Sequence, residues 1–146
     1  MKFWKSFSKR AVLKQLFFGL FLFAILIPIA IWDSNTQVKV SFDAEAVYVG
    51  SDKYSMNIHY ADITSAELVP LEEPGEKVKD GYDNDILRAG VWINEAWGEY
   101  IIVADLDATT CILLKLEDGR TLVFNKKNDK ATAEVYETLL TYLPNP

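Results

Sequence analysis

The stretch "NIHYADITSAELVP", residues 57–70, contains the single histidine of the chain, followed by an aspartate and a serine. Catalysis by His59, Asp62 and Ser65 would need a nucleophile, a base and an orienting acid within hydrogen-bonding distance of one another. The surrounding residues instead alternate between apolar and polar types, which predicts a strand that ends in a turn at Asp62. Ser55 shares the strand face of His59 but lies about 13 Å away, at about 3.3 Å per residue. We therefore expect His59 to be exposed and the chain to have no catalytic residue.

Carboxylates offer two further hypotheses, acid–base catalysis and calcium binding. Asp105 and Asp107 in "ADLDATT" could serve a carboxylate-based hydrolase, although such a sequence is typical of a turn between strands. Residues 80–85, "DGYDND", do not follow the Asp-x-Asp-x-Asp-Gly order of a calcium loop. Calcium binding by the acidic segment 70–85 stays open, and we expect no metal and no cofactor.

Charge and cysteine content exclude several classes of protein. Residues 1–32 contain five basic and no acidic residues, whereas the remainder contains 10 basic and 21 acidic residues. The resulting negative charge disfavours binding to nucleic acid, and a hairpin tip with only Lys53 as a cation disfavours phosphoinositides. Cys111, the single cysteine, excludes an intramolecular disulfide and a cysteine-based zinc site, and we expect it to be buried in a strand.

The uncharged run Leu16–Trp32 predicts one transmembrane helix, which can start near residue 11. The basic residues before this run place residues 1–15 in the cytoplasm and the C-terminal domain outside it. A cleaved signal peptide is the alternative, but cleavage after Ala30 would put Pro28 at the −3 position. A buried helix of a soluble protein is the third interpretation.

The remaining chain predicts a mainly β domain with one C-terminal helix. Residues 33–37 form a polar linker, and from Val38 onward apolar and polar residues alternate over about seven short strands in antiparallel sheets. Residues 70–85 predict a long loop, and Asp118-Gly119 predicts a hairpin turn. Residues 129–143 predict an amphipathic helix that is capped by Asn128 or Asp129 and buries Val135 and Leu139.

Three stretches resemble the small bacterial pleckstrin-homology-like (PH-like) domains that follow a transmembrane helix: "MNIHYADITSAELVP", "ILLKLEDGRTLVFN" and "ATAEVYETLLTYL". The resemblance covers residues 38–143 and implies a β-sandwich or barrel capped by a helix. Residues 88–105, with Trp92 and Trp97, depart from it, and another small β-barrel is the alternative fold. The resemblance implies a scaffold role and allows homo-oligomers.

These features together predict a non-enzymatic, single-pass membrane protein whose outer domain binds a protein or peptide. A sheet edge or the groove beside the closing helix would accept an extended peptide. A small surface regulator or immunity-type protein is the alternative function, and a carboxylate-based hydrolase is the third.

Overall fold

The computed structural model describes residues 14–21, residue 24 and residues 37–144. Residues 14–21 are helical, and their side chains are mostly exposed. Within the described ranges, no helix is both long and apolar enough to cross a bilayer. Most of the predicted membrane helix at 16–32 and all but the last residue of the linker at 33–37 lie outside these ranges, so both stay predictions.

The chain divides into two compact units, Met1–Asn35 and Thr36–Pro146. The described part of the second unit is mainly β with one C-terminal helix, as the sequence predicts. It has nine strands rather than about seven. The elements are β1 (Lys39–Phe42), β2 (Ala46–Gly50), β3 (Ser55–His59), β4 (Ile63–Pro70), β5 (Glu76–Asp83), β6 (Leu87–Asn94), β7 (Gly98–Asp105), β8 (Thr110–Leu116), β9 (Thr121–Phe124) and helix α1 (Asp129–Tyr142).

The first three strands form an antiparallel meander in the order β1-β2-β3. Their alternating sequence decides which side chains are buried, because successive residues of a strand point to opposite faces. Val38 and Val47 are buried, whereas Lys39 and Tyr48 are exposed. The period-two prediction for this region is confirmed.

The other six strands form a second sheet in the order β4-β8-β9-β7-β6-β5. Strand β9 lies between β7 and β8, which are consecutive in the chain, so it is antiparallel to β8 and parallel to β7. The alternating pattern predicts antiparallel sheets. Hydrophobic alternation reports which face of a strand is buried, not which strand lies beside it, and therefore missed this parallel pair.

In the six-stranded sheet, β7, β8 and β9 are largely buried on both faces, which explains their continuous apolar runs. One face joins the three-stranded sheet and α1 in a main core. The buried residues of the main core are Val38, Val47, Val49, Ile58, Tyr60, Leu87, Val103, Ile112, Leu114, Leu116, Leu122, Phe124 and Leu139. The opposite face forms a second core, whose buried residues are Trp92, Tyr100, Ile102, Ala104, Cys111, Leu113 and Val123.

The connection from β4 to β5 crosses the second core. Its path from Pro70 to Glu76 can reach at most about 22 Å, whereas five strand spacings of a flat sheet would measure about 24 Å. The sheet therefore curves around this core. Leu71 packs on the second core, and the Tyr100 hydroxyl donates a hydrogen bond to the Pro74 carbonyl at 2.8 Å.

Helix α1 closes the main core and begins at the predicted cap, because Asn128 Oδ1 accepts a hydrogen bond from the Ala131 N–H at 2.9 Å. Leu139 is fully buried, and the Tyr136 hydroxyl donates to the Ala66 carbonyl of β4. At the C-terminal end of the helix, Tyr142 stacks on two aromatic rings of the neighbouring elements, those of Phe42 and Tyr60.

The predicted loop at residues 70–85 is wrong for its larger part, because β5 occupies Glu76–Asp83. β5 is an edge strand with little burial, so it needs no apolar alternation and its charged composition does not prevent pairing with β6. Two bulges accommodate its irregular register. The close approach at the second bulge requires Gly90, whose φ is +115° and whose absent Cβ would lie 2.3 Å from the Asp80 carbonyl oxygen.

The corner after β3 is a single 3-10 turn, Tyr60–Asp62, as the turn prediction requires. Ile63, the apolar residue that follows the turn, is half-buried and packs against the main core. Tyr60 is the buried residue of the corner, and its hydroxyl donates to the Asp43 carbonyl at 2.9 Å. The hairpin turn at Asp118-Gly119 is also confirmed, with Gly119 at φ +86°.

Candidate functional site

The His59 region does not assemble a catalytic site. His59 is exposed at the end of β3, Asp62 is exposed in the following turn, and Ser65 lies in β4. No hydrogen bond joins these three side chains to one another in the described part of the chain. The Asp62 carbonyl instead accepts the backbone N–H of Glu117 at 2.8 Å and thereby connects the corner to the β8–β9 hairpin.

Asp105 and Asp107 form a turn, as the sequence analysis favoured. Asp105 ends β7 with an exposed fraction of 2%, and its carboxylate accepts the backbone N–H of Asp107 at 3.0 Å. The buried Asn125 side chain bonds to both backbone groups of Asp105. Nearby, Lys126 donates to the Val38 carbonyl at 2.7 Å, and burial lowers the pKa of its ammonium group despite the attraction of Asp105.

The acidic segment proposed for calcium is divided between a strand and a short turn. Asp83 accepts a hydrogen bond from Arg88 at 3.0 Å, and Asn84 caps the turn through the N–H groups of Ile86 and Leu87. Among the described residues, no group of three or more histidine, cysteine, aspartate or glutamate side chains is placed to hold a metal ion.

Cys111 and Lys53 also occupy defined structural positions. Cys111 is fully buried in β8, as predicted, and burial together with the negative charge of Glu72 raises the pKa of its thiol to about 12. Lys53 pairs with Asp52 at 3.6 Å and lies over the Tyr82 ring. Neither arrangement provides a reactive thiol or a phosphate-binding cluster.

A groove of about 820 Å³ opens where the β4–β5 connection meets the β6–β7 turn. We call it the acidic groove. It is lined by Glu72, Glu73, Gly75, Glu76, Ile93, Asn94, Glu95 and Ala96. By contrast, the space beside the closing helix, where a peptide was expected, measures only about 80 Å³. A third groove, of about 450 Å³, is lined by charged residues of both signs.

The two walls of the acidic groove are held together by hydrogen bonds and a close backbone approach. Asn94 donates to the Glu73 carbonyl at 3.0 Å and accepts the Trp97 N–H at 2.8 Å. Gly75 has φ +73°, and a Cβ at this position would lie 2.0 Å from the Ile93 carbonyl oxygen. Tyr100 supports the connection from below through Pro74, and burial raises the pKa of this phenol to about 12.

The lining combines negative charge with exposed apolar surface. Four exposed glutamates surround the groove, and none forms an ion pair with a basic side chain among the described residues. Ile93 retains 44% of its surface in contact with solvent, and Ala96 is exposed beside it. Because lysine and arginine combine an aliphatic stem with a cationic head, their side chains match this lining.

The acidic groove and Val38 lie at opposite ends of the β6–β7 hairpin. Val38, the residue before β1, is bonded to Lys126 beside the Asp105 end of β7. The groove lies at the other end of the β6–β7 hairpin, where Asn94 pairs with Gly98. The seven residue steps of β7 separate the two ends by about 23 Å.

The sequence alone does not reveal this site, because three of the four glutamates lie in the predicted loop at residues 70–85 and Glu95 lies about twenty residues further along the chain. Two features of the sequence next to the groove could have indicated it. They are Gly75, which permits the close backbone approach, and the tryptophans Trp92 and Trp97 near the β6–β7 turn. No family model, curated protein or solved structure matches this chain, so no relative indicates what the acidic groove binds.

Proposed function

We propose that the chain is a non-enzymatic, single-pass membrane protein whose outer domain binds a basic segment of a protein or peptide in the acidic groove. The groove itself carries this proposal, because it combines exposed Ile93 with four carboxylates that have no ion-pair partner among the described residues, all on a firmly held frame. A cationic partner would relieve the repulsion between the glutamates, and its aliphatic stems would cover the apolar floor.

The charge of the acidic groove supports a polypeptide partner over a lipid surface, because anionic headgroups would repel its glutamates. The extracytoplasmic location and the anchor at Leu16–Trp32 remain part of the proposal.

The PH-like assignment is the finer part of the fold proposal. The closing hairpin of β8 and β9 followed by α1 supports it. The nine strands and the parallel pair of β7 and β9 differ from the order that the resemblance implies. A solved structure of a related PH-like chain with the same insertion of β9 would support the assignment.

A surface regulator or immunity-type protein is the alternative, since it would use the same groove to occlude a partner. The structural role of Asp105 in a turn supports a non-enzymatic function over the carboxylate-based hydrolase. The described residues show no second carboxylate that shares its buried setting, as an acid–base pair would require.

The test uses the full chain in lipid nanodiscs and a fluorescent peptide of alternating lysine and valine. We expect saturable binding, measured by fluorescence anisotropy, that weakens as salt is raised. The double substitution Glu72→Gln with Glu76→Gln should weaken binding by about twofold to thirtyfold, because two exposed charge pairs are together worth about 0.4–2 kcal/mol.

The matched control removes the same charge from the exposed face of α1 through Glu134→Gln with Glu137→Gln. This variant should bind like the original chain. Equal losses in the two variants would show that only the net charge attracts the peptide, and the groove would then have no specific role.

A further inference from the structure

The two described sheets have four edges, at β1, β3, β4 and β5, where backbone groups lack a strand neighbour. Exposed edges can pair with other chains, and proteins usually block them with lysines, prolines, bulges or covering side chains. The four edges of this domain differ in whether such a feature is present. This difference concerns assembly and is independent of the acidic groove.

Three of the edges are protected. At β1, the Lys126 ammonium group donates a hydrogen bond to the outward carbonyl of Val38. At β4, the Tyr136 hydroxyl donates to the outward carbonyl of Ala66, and Pro70 has no backbone N–H to offer. At β5, two bulges interrupt the register, and the exposed lysines and the positive φ of Asp80 oppose continuous pairing.

The edge of β3 has none of these features in the part of the chain that the structure describes. The Tyr60 N–H donates to the Glu45 carbonyl, and the Ser51 N–H donates to the Tyr54 carbonyl. These two bonds show which opposite residues of β2 and β3 form hydrogen-bonded pairs. Because these pairs alternate along an antiparallel ladder, the backbone groups of Ser55, Asn57 and His59 point outward. The register of β2 and β3 has no bulge over these residues.

We infer that two copies of this chain pair through antiparallel β3 strands, with Asn57 opposite Asn57 of the second copy. This register places Ser55 opposite His59 and uses all three outward residues, giving about six backbone hydrogen bonds across the two-fold axis. The three side chains are exposed, and Ser55 and Asn57 are not ionisable, so no two like charges lie directly opposite each other. The two three-stranded sheets then form one continuous sheet.

Ser41, Tyr48 and Asn57 lie in one row across the three-stranded sheet. The proposed register therefore predicts the distance between each of these residues and its copy in the dimer, which cysteine cross-linking can test. We would express the full chain with two different epitope tags and oxidise isolated membranes of an Asn57→Cys variant. The native cysteine, Cys111, is fully buried and should not react. We expect a disulfide-linked dimer that contains both tags, because hydrogen-bonded antiparallel pairs have Cα atoms about 5.5 Å apart.

The matched control is Ser41→Cys, on the same exposed face of β1. Five strand spacings would separate this residue from its copy by about 24 Å, far beyond the reach of a disulfide. Strong cross-linking of the Asn57→Cys variant with little cross-linking of the Ser41→Cys variant supports the paired strands. Equal cross-linking of both variants, none of either, or a linked species that contains only one tag and another protein would overturn the inference.

A second measurement distinguishes dimerisation through β3 from dimerisation through other parts of the chain. Asn57→Lys places two lysines opposite each other and should weaken the dimer up to about fivefold in light scattering of the detergent-solubilised chain. Ser41→Lys adds the same charge to the same face and should leave the dimer unchanged. An unchanged dimer in the Asn57→Lys variant would refute pairing through β3.

Discussion

Replacement of Leu139 by alanine tests whether α1 is an integral part of the main core. Leu139 is fully buried among the residues of that core. The substitution removes three carbon atoms, which at about 0.8 kcal/mol each amounts to roughly 2.4 kcal/mol of lost burial. The cavity left behind adds to this loss, so we expect about 3–4 kcal/mol of destabilisation. For a domain of this size, that corresponds to a decrease in Tm of about 12–16 °C.

The assay is thermal unfolding of the full chain in detergent, followed by the near-ultraviolet signal of the aromatic residues. Glu137→Ala is the matched control, because Glu137 is exposed on the same helix and the change to alanine does not weaken helix propensity. The control should melt within about 2 °C of the original chain, as surface substitutions usually cost less than about 0.5 kcal/mol. Equal Tm values for both variants would mean that the helix contributes little to the core.

The remaining predictions concern the N-terminus of α1, one bulge, the opening histidine and the anchor. Hydrogen bonds from Thr109 and Thr110 lower the pKa of Asp129 to about 2. The stability that the ionised carboxylate contributes is therefore present at neutral pH and is lost as pH falls from about 4 to 2. Asp129→Asn should flatten the pH dependence of the free energy of unfolding over that range. Gly90→Ala should destabilise the domain by about 1–3 kcal/mol in denaturant unfolding, because φ is +115° and the Cβ would meet β5. His59→Gln should change the free energy of unfolding by less than about 0.5 kcal/mol. Protease added to intact cells should remove the outer domain if Leu16–Trp32 spans the bilayer uncleaved. A C-terminal domain that is digested only after the cells are lysed would refute the orientation.

The two proposed surfaces have separate consequences for the protein. The acidic groove lies at the turn after β6, whereas the paired edge belongs to the three-stranded sheet. A dimer formed through β3 would present two grooves on one assembly, and two tethered grooves bind a partner with repeated basic segments more tightly than one. Asn57→Lys should therefore weaken binding to a tandem peptide more than binding to a single one.

Local sequence determined the elements whose signals are complete within a few residues. The alternation at β1 places Val38 and Val40 inward without information about their partners. The same holds for Asp118-Gly119, where an aspartate side chain and a positive φ make the turn, and for the Asn128 cap of α1. The exposed position of His59 also followed from alternation alone.

Only the tertiary structure decided which strands became neighbours and where the acidic groove formed. The insertion of β9 between β7 and β8 depends on contacts across the whole sheet, and the charged β5 becomes a strand because β6 provides its backbone partners. Glu95 joins the other groove glutamates only because the curved sheet brings the β4–β5 connection over the second core. Such contacts are distant in sequence and rest on the geometry of packed backbones, which no local pattern of residues specifies.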